Sequence, residues 1–122
     1  YIERLALEEN SGQHRASFQR LSRINDERGT RRVYDRLGGS DVETHVYGVP
    51  DWTPPSDLGV TMHGGRTSEY QNSWFVVFVP ESADASHAAL VALQIDRGIW
   101  DAYWTFEPDE VRDIAAYIRR EL

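Results

Sequence analysis

Four histidines are the first residues to test for chemistry. His14, His45, His63 and His87 are scattered, with no HxH or HxxxH spacing. A metal site would need them to converge with carboxylates in the fold. His45 and His63 fall on adjacent predicted strands, so they are the pair the fold can bring together. The plainer reading is two half-exposed strand histidines. No serine stands in a GxSxG elbow, and Ser73 simply precedes Trp74. Asp109 and Glu110 are adjacent carboxylates, but their place just after Pro108 reads as first-turn helix charge. Gly38-Gly39 and Gly64-Gly65 lack the Lys-Ser/Thr or GxGxxG context of a phosphate loop and read as turns. Arg31-Arg32 would suit an anion, yet on an exposed helix they read as solvated. The chain is accordingly expected to be non-enzymatic and to hold no metal. A small hydrolase or isomerase is the weaker class, because it needs a polar cleft with converging His and carboxylate groups.

Aromatic residues are the remaining chemical signal. Trp52, Trp74, Trp100 and Trp104 join six Tyr and four Phe. Large rings pack cores, which is their default use, and they also line apolar pockets and interfaces. Trp74, Phe75, Tyr103, Trp104 and Phe106 are the candidate ligand-binding set. Phe18, Leu21 and Ile24, spaced by three as on one helix face, are the candidate interaction set.

Composition limits what these residues can serve. The chain has 122 residues, enough for one domain with a core of its own, and carries a net charge of −7. All 13 basic residues are arginine. An acidic surface repels phosphate backbones, so direct nucleic-acid binding is not expected. The absence of lysine fits a halophilic surface and equally fits GC-rich codon usage. The absence of cysteine removes thiol chemistry, disulfides and Cys-based zinc sites, and allows a cytoplasmic location. The longest apolar run, Trp74 to Val79, is far too short to cross a bilayer, and no secretory signal is apparent. The chain opens on Tyr1 in mid-pattern, which reads as a piece of a larger protein.

The elements that must position these groups follow from periodicity. Residues 1–28 are polar and helix-friendly: a first stretch bears Ile2, Leu5 and Leu7, Ser11-Gly12 interrupts it, and a second carries Phe18, Leu21 and Ile24. This segment is expected to be a linker or dimerisation element, with residues 29–122 forming the α/β domain proper. A third helix, capped by Thr30, holds Val33, Tyr34 and Leu37 and ends at Gly38-Gly39, where glycine is available for a left-handed residue. Val42 to Tyr47 alternates and reads as a strand, then a loop with Pro50, Pro54 and Pro55, then a short strand over Val60 to His63. Thr67 to Asn72 reads as one helical turn. Trp74 to Val79 reads as a central strand buried on both faces. Ala88 to Ile95 suits helix or strand and is assigned as strand. Asp96-Arg-Gly98 turns the chain into a last strand over Ile99 to Phe106. Pro108 opens a final helix striped by Val111, Ile114, Ala115 and Ile118. The fold class is α+β: about five mostly antiparallel strands in one sheet, flanked by N-terminal helices and a C-terminal helix.

Three stretches carry a family resemblance. Trp74-Phe-Val-Val-Phe, Ala89-Leu-Val-Ala-Leu-Gln94 and Tyr103-Trp-Thr-Phe-Glu-Pro108 before a helix resemble the DICT domain, a sensory domain of diguanylate cyclases and two-component systems. Val33-Tyr-Asp-Arg-Leu and Val46-Tyr-Gly-Val-Pro-Asp51 look like its haloarchaeal members. The resemblance covers roughly residues 18–120, and the closing motif is the specific part. Ala102 stands where the family often has glycine. Glu107 replaces the usual Asp, a poorer N-cap, and Thr105 is the alternative cap. The resemblance implies a non-catalytic, regulatory input domain for signal transduction, placed beside GGDEF, EAL, kinase or DNA-binding outputs and associated with light responses. It implies no catalytic group and names no cofactor, and the chain has no cysteine to attach a bilin. The expected partners are a covalently linked or separate output domain and a second copy, as a homodimer through the N-terminal helices. The alternative is a protein-interaction module without a small ligand.

Overall fold

The computed structural model describes residues 1–26, 28–65 and 72–122. The helical turn expected at Thr67 to Asn72 therefore lies, but for Asn72, outside the described residues. In chain order the elements are α1 (Ile2–Glu9), β1 (Gln13–Arg20), α2 (Arg23–Asp26), α3 (Arg28–Gly38), β2 (Glu43–Val49), β3 (Thr61–Gly64), β4 (Ser73–Val79), β5 (Ala88–Asp96), β6 (Ile99–Thr105) and α4 (Pro108–Glu121). The six strands form one sheet in the order β3-β2-β1-β4-β5-β6. β1, β2 and β3 run parallel to one another, while β1-β4, β4-β5 and β5-β6 are antiparallel. The class is α+β with a mostly antiparallel sheet, as expected, and it has one strand more than the sequence suggested.

That extra strand corrects the N-terminal reading. Residues 13–20 do not continue a helix; they form β1, which lies between β2 and β4 in the interior of the sheet. The spacing of Phe18, Leu21 and Ile24 imitates a helix face. In fact Phe18 lies near the end of the strand, Leu21 sits in the turn and Ile24 lies in the short α2. Leu21 is 2% exposed and Ile24 is fully buried, so both belong to the core rather than to a dimer surface. Residues 13–20 are thus a strand of the sheet, and Ile2, Ala6, Leu21 and Ile24 contribute to its core.

β1 hides polar side chains. His14, Arg15 and Ser17 are all buried. Each makes at least one hydrogen bond, as buried polar groups do, although His14 Nδ1 and Arg15 Nε find no partner among the described residues. His14 Nε2 lies 3.2 Å from the Tyr34 hydroxyl of α3, and that hydroxyl donates onward to Glu3 Oε1 at 3.5 Å. The chain of donors places the imidazole proton on Nε2. Ser17 Oγ accepts the Phe75 N–H at 2.9 Å. It does so where β1 leaves its ladder with β4, just before a bulge containing Gln19 at φ 57°.

Helices cover both faces. α1, α2 and α3 pack Ile2, Ala6, Ile24, Tyr34 and Leu37 on one face, against Ala16, Val46, Val76, Phe78 and Leu90. α4 packs Val111 and Ile118 on the other, against Tyr47, Phe75, Val77 and Ala89. α3 begins at Arg28, so Thr30 lies inside the helix and does not cap it. Neither Gly38 nor Gly39 is left-handed; Ser40 closes the helix, its Oγ donating to the Leu37 carbonyl at 2.6 Å. Gly98, at φ 72°, supplies the left-handed residue of the β5-β6 hairpin. Pro108 opens α4 after the N-cap residue Glu107, which makes no side-chain capping bond. Thr105 Oγ1 accepts the Glu107 N–H at 3.1 Å, ahead of the first turn, so Thr105 does not cap the helix either.

Two predictions follow from this core. Ile24→Ala should cost about 2–5 kcal/mol in urea unfolding, whereas a surface position would cost under about 0.5 kcal/mol. Burial lowers the His14 pKa from 6.5 to about 3. Between those values the unfolded chain holds a proton that the folded chain lacks. Stability should therefore fall as pH drops below 6.5, at roughly 1.4 kcal/mol per pH unit from this residue. His14→Gln should remove about one proton from the pH dependence of unfolding between about pH 6 and pH 4.

Candidate functional site

Strand alternation divides the candidate aromatic set. In β4, Phe75 faces α4 and Trp74 faces the opposite side; in β6, Tyr103 faces α4 and Trp104 the opposite side. The structure therefore does not bring the five rings together.

Phe75 and Tyr103 border the larger site. α4 crosses the sheet over β4 and the near part of β5, and leaves a groove of about 870 Å³ toward β6. Phe75, Val91 and Leu93 floor it, and Ile114, Tyr117 and Ile118 wall it. Phe75 is only 3% exposed, so it is a packed floor, whereas Tyr103 and Leu93 stand about half exposed at the mouth. The polar rim is acidic. Asp101, Glu110 and Asp113 line it together with Gln94, and no arginine lines it among the described residues. Glu110 is fixed in place: it accepts from the Tyr103 hydroxyl at 2.5 Å and from Thr105 Oγ1 at 3.2 Å. The hydrogen bond to Glu110 raises the Tyr103 pKa and keeps the phenol protonated. Leaving aside the shared Asn72 and Ser73 edge, this site can hold an apolar body and offer carboxylates to a positive or donor group.

Sequence reading missed the helix side of this groove. Glu110 was assigned to the helix dipole, and Ile114 and Ile118 to the core stripe. The signal was Tyr117, a large ring one step off that stripe and half exposed.

Trp74, Trp104 and Phe106 lie on the other face. Trp104 and Phe106 are stacked with ring centres 6.3 Å apart, and Tyr1 meets Phe106 edge-on at 6.3 Å. These separations are within the range of aromatic pairs. Trp74 and Phe18 line a separate cavity of about 270 Å³. Of the interaction set, Phe18 alone reaches a surface feature.

The histidine pair foreseen on adjacent strands does form. His45 Nδ1 and His63 Nε2 are 2.8 Å apart, and the His63 ring stacks on Tyr47 with centroids 4.4 Å apart. Glu43 Oε1 lies 3.5 Å from His45 Nε2. Burial chiefly lowers both histidine pKa values, and the Arg15 guanidinium adds to it in both. Neither histidine lines the groove. No group of three metal-ligating side chains is found among the described residues. Arg31, read as solvated, instead donates to Asp35 and Asn25 and lies over the Trp52 ring at 5.8 Å. Asp51, from one of the resemblance motifs, accepts from Ser22 N–H at 2.9 Å and Ser22 Oγ at 2.7 Å, pinning the proline loop to the turn before α2.

Compared with known proteins, the chain matches no family model, no curated protein and no solved structure. The likeness to DICT domains thus rests on the sequence stretches quoted above.

The pair offers a direct check of the geometry. In an NMR titration both histidines should protonate below pH 6.5, and stability should fall as pH drops through that region, since the unfolded chain binds the protons first. His45→Gln should raise the His63 midpoint, because it removes the repulsion His45 exerts on the charged ring. An unchanged midpoint would show that the two rings do not meet.

Proposed function

We propose that this chain is a non-catalytic sensory or regulatory domain that binds a small ligand in the groove between α4 and β4-β6. The observation that carries the reading is the groove itself: apolar floor and wall, acidic rim, and a size within the range of small-molecule sites. The ligand it suits has an apolar body and a cationic or hydrogen-donating group. A signal would leave through α4, which forms one wall and can respond if the ligand prefers one position of the helix. The DICT resemblance supports an input role beside an output domain, in a two-component or cyclic-dinucleotide system. No helix among the described residues is long and apolar enough to cross a membrane. The cysteine-free, acidic composition suits the cytoplasm.

A second reading has its own observation. Ile99, Trp100, Trp104 and Phe106 are about half exposed on and beside β6, the last strand of the sheet. Uncovered apolar rings beside an unpaired strand edge are the features of a protein-interaction surface.

One set of variants separates the two. Screening apolar amines and related cationic compounds by thermal shift and tryptophan fluorescence should yield a saturable response. Leu93→Glu, on the groove side, should weaken that binding about tenfold or more while leaving the melting temperature nearly unchanged. Trp104→Glu, on the opposite face, should leave it intact. If no compound binds and Trp104→Glu instead abolishes a self-association seen by sedimentation, the interaction reading replaces the groove reading.

A further inference from the structure

On the other flank of α4 the sheet buries a cation that makes no ion pair among the described residues. Arg15, in the interior strand β1, is 4% exposed. Its Nη1 donates to the Tyr47 hydroxyl at 2.7 Å and its Nη2 to Gln13 Oε1 at 2.9 Å. Both acceptors are neutral. Its Nε finds no acceptor, and Arg15 makes no ion pair among the described residues. Taking a guanidinium out of water costs far more than neutral acceptors return, so buried charges in folded proteins are normally paired. Here Arg15 is kept in an interior strand with no carboxylate in ion-pair contact among the described residues.

The space for one lies beside it. Arg15 lines a cavity of about 300 Å³ between the start of β1, the end of β4 and α4. Arg112 and Arg119, one face of α4 apart by seven residues, line the same cavity, with Ala115 and Ala116 leaving it open. Arg112 is exposed and engages only Asp109, through Nη2 at 3.0 Å. Arg119 is exposed and makes no ion pair among the described residues. Glu81 is the one carboxylate in the lining. Three cations against one anion form a locally positive site on a chain whose net charge is −7.

We propose that this cavity is an oxyanion site, in which Arg15, Arg112 and Arg119 receive a carboxylate or phosphate group. The planar fork of arginine matches the two oxygens of either group, and three such forks lining one cavity would select an oxyanion over chloride. The site is separate from the groove and stands whether or not the groove takes a ligand. An anion there ties α4 to β1 and supplies the charge that Arg15 lacks.

The test uses the intact chain with inorganic phosphate, acetate and chloride at matched ionic strength. Phosphate or acetate should raise the melting temperature saturably above the chloride control, and should shift the Arg15 Nε–H cross-peak in a ¹H–¹⁵N spectrum. A response to phosphate alone identifies phosphate as the group; a response to acetate alone identifies carboxylate; a response to both defines a general oxyanion site. Arg112→Gln and Arg119→Gln, both at exposed positions that do not threaten folding, should each weaken the response about fivefold or more, and the double variant should abolish it. The proposal is overturned if neither oxyanion exceeds chloride, or if the double variant responds like the parent chain.

Discussion

Everything else in this fold depends on burying a hydrophilic strand in the middle of the sheet. β1 contributes His14, Arg15 and Ser17 to the interior, and each hydrogen-bonds a different neighbour: α3 through Tyr34, β2 through Tyr47, and β4 through the Phe75 N–H. An apolar strand would only need to be covered. A polar one must be covered by the right groups in the right register. Because side chains alternate, sliding β1 by one residue would send Arg15 into the aliphatic layer beneath α1-α3 and His14 toward α4. Neither would keep the hydrogen bonds it makes now. The polar groups therefore specify the pairing that the hydrophobic pattern of β1 leaves undefined.

The unequal covering of the two faces follows from that arrangement and creates the surface features. Three helices, α1 and the α2-α3 connection from β1 to β2, cover one face from β2 across β1 and β4 to the start of β5. A single helix, α4, covers the other, and it is held by a small cluster around Val111 and Ile118. One helix is too narrow for six strands. The β5-β6 hairpin consequently extends beyond its cover on both sides. On the α4 side this leaves the acidic-rimmed groove; on the other it leaves Trp104 and Phe106 in partial contact with solvent and with Tyr1.

Much of this was legible, and the failures have physical causes. β2, β4, β5 and α4 announce themselves because each buries apolar side chains in a pattern of its own conformation, and α4 adds Pro108 and charged ends. β6 is legible from its aromatic and β-branched content, although it buries only Thr105. β1 does not, since Gln13-His-Arg-Ala-Ser carries no alternation of polarity; its burial is stabilised by hydrogen bonds that only the assembled fold reveals. Phe18, Leu21 and Ile24 then mislead, because a strand end, a turn and a short helix wrap around one core and reproduce helical spacing. The grouping of Trp74 with Phe75, and of Tyr103 with Trp104, conflicts with strand alternation that the sequence already showed. The His45-His63 meeting was accessible in outline from neighbouring strands, but the 2.8 Å contact needed the parallel register of β2 and β3, which places Tyr47 beside His63.

α4 is where these features converge mechanically. Its first turn is fixed to β6 through Glu110, Tyr103 and Thr105, and its middle to β4 and β5 through Val111 and Ile118. Its two flanks differ in kind: carboxylates and apolar side chains toward β6, arginines toward β1. A helix held by one modest apolar seam between chemically opposite flanks has less to lose on moving than the elements of the larger core, where many buried groups would have to part together. A ligand wedged on the β6 side and an anion bridging on the β1 side would act on the same body. Each could change the affinity of the other only through the position of α4, so any coupling between them is necessarily reciprocal.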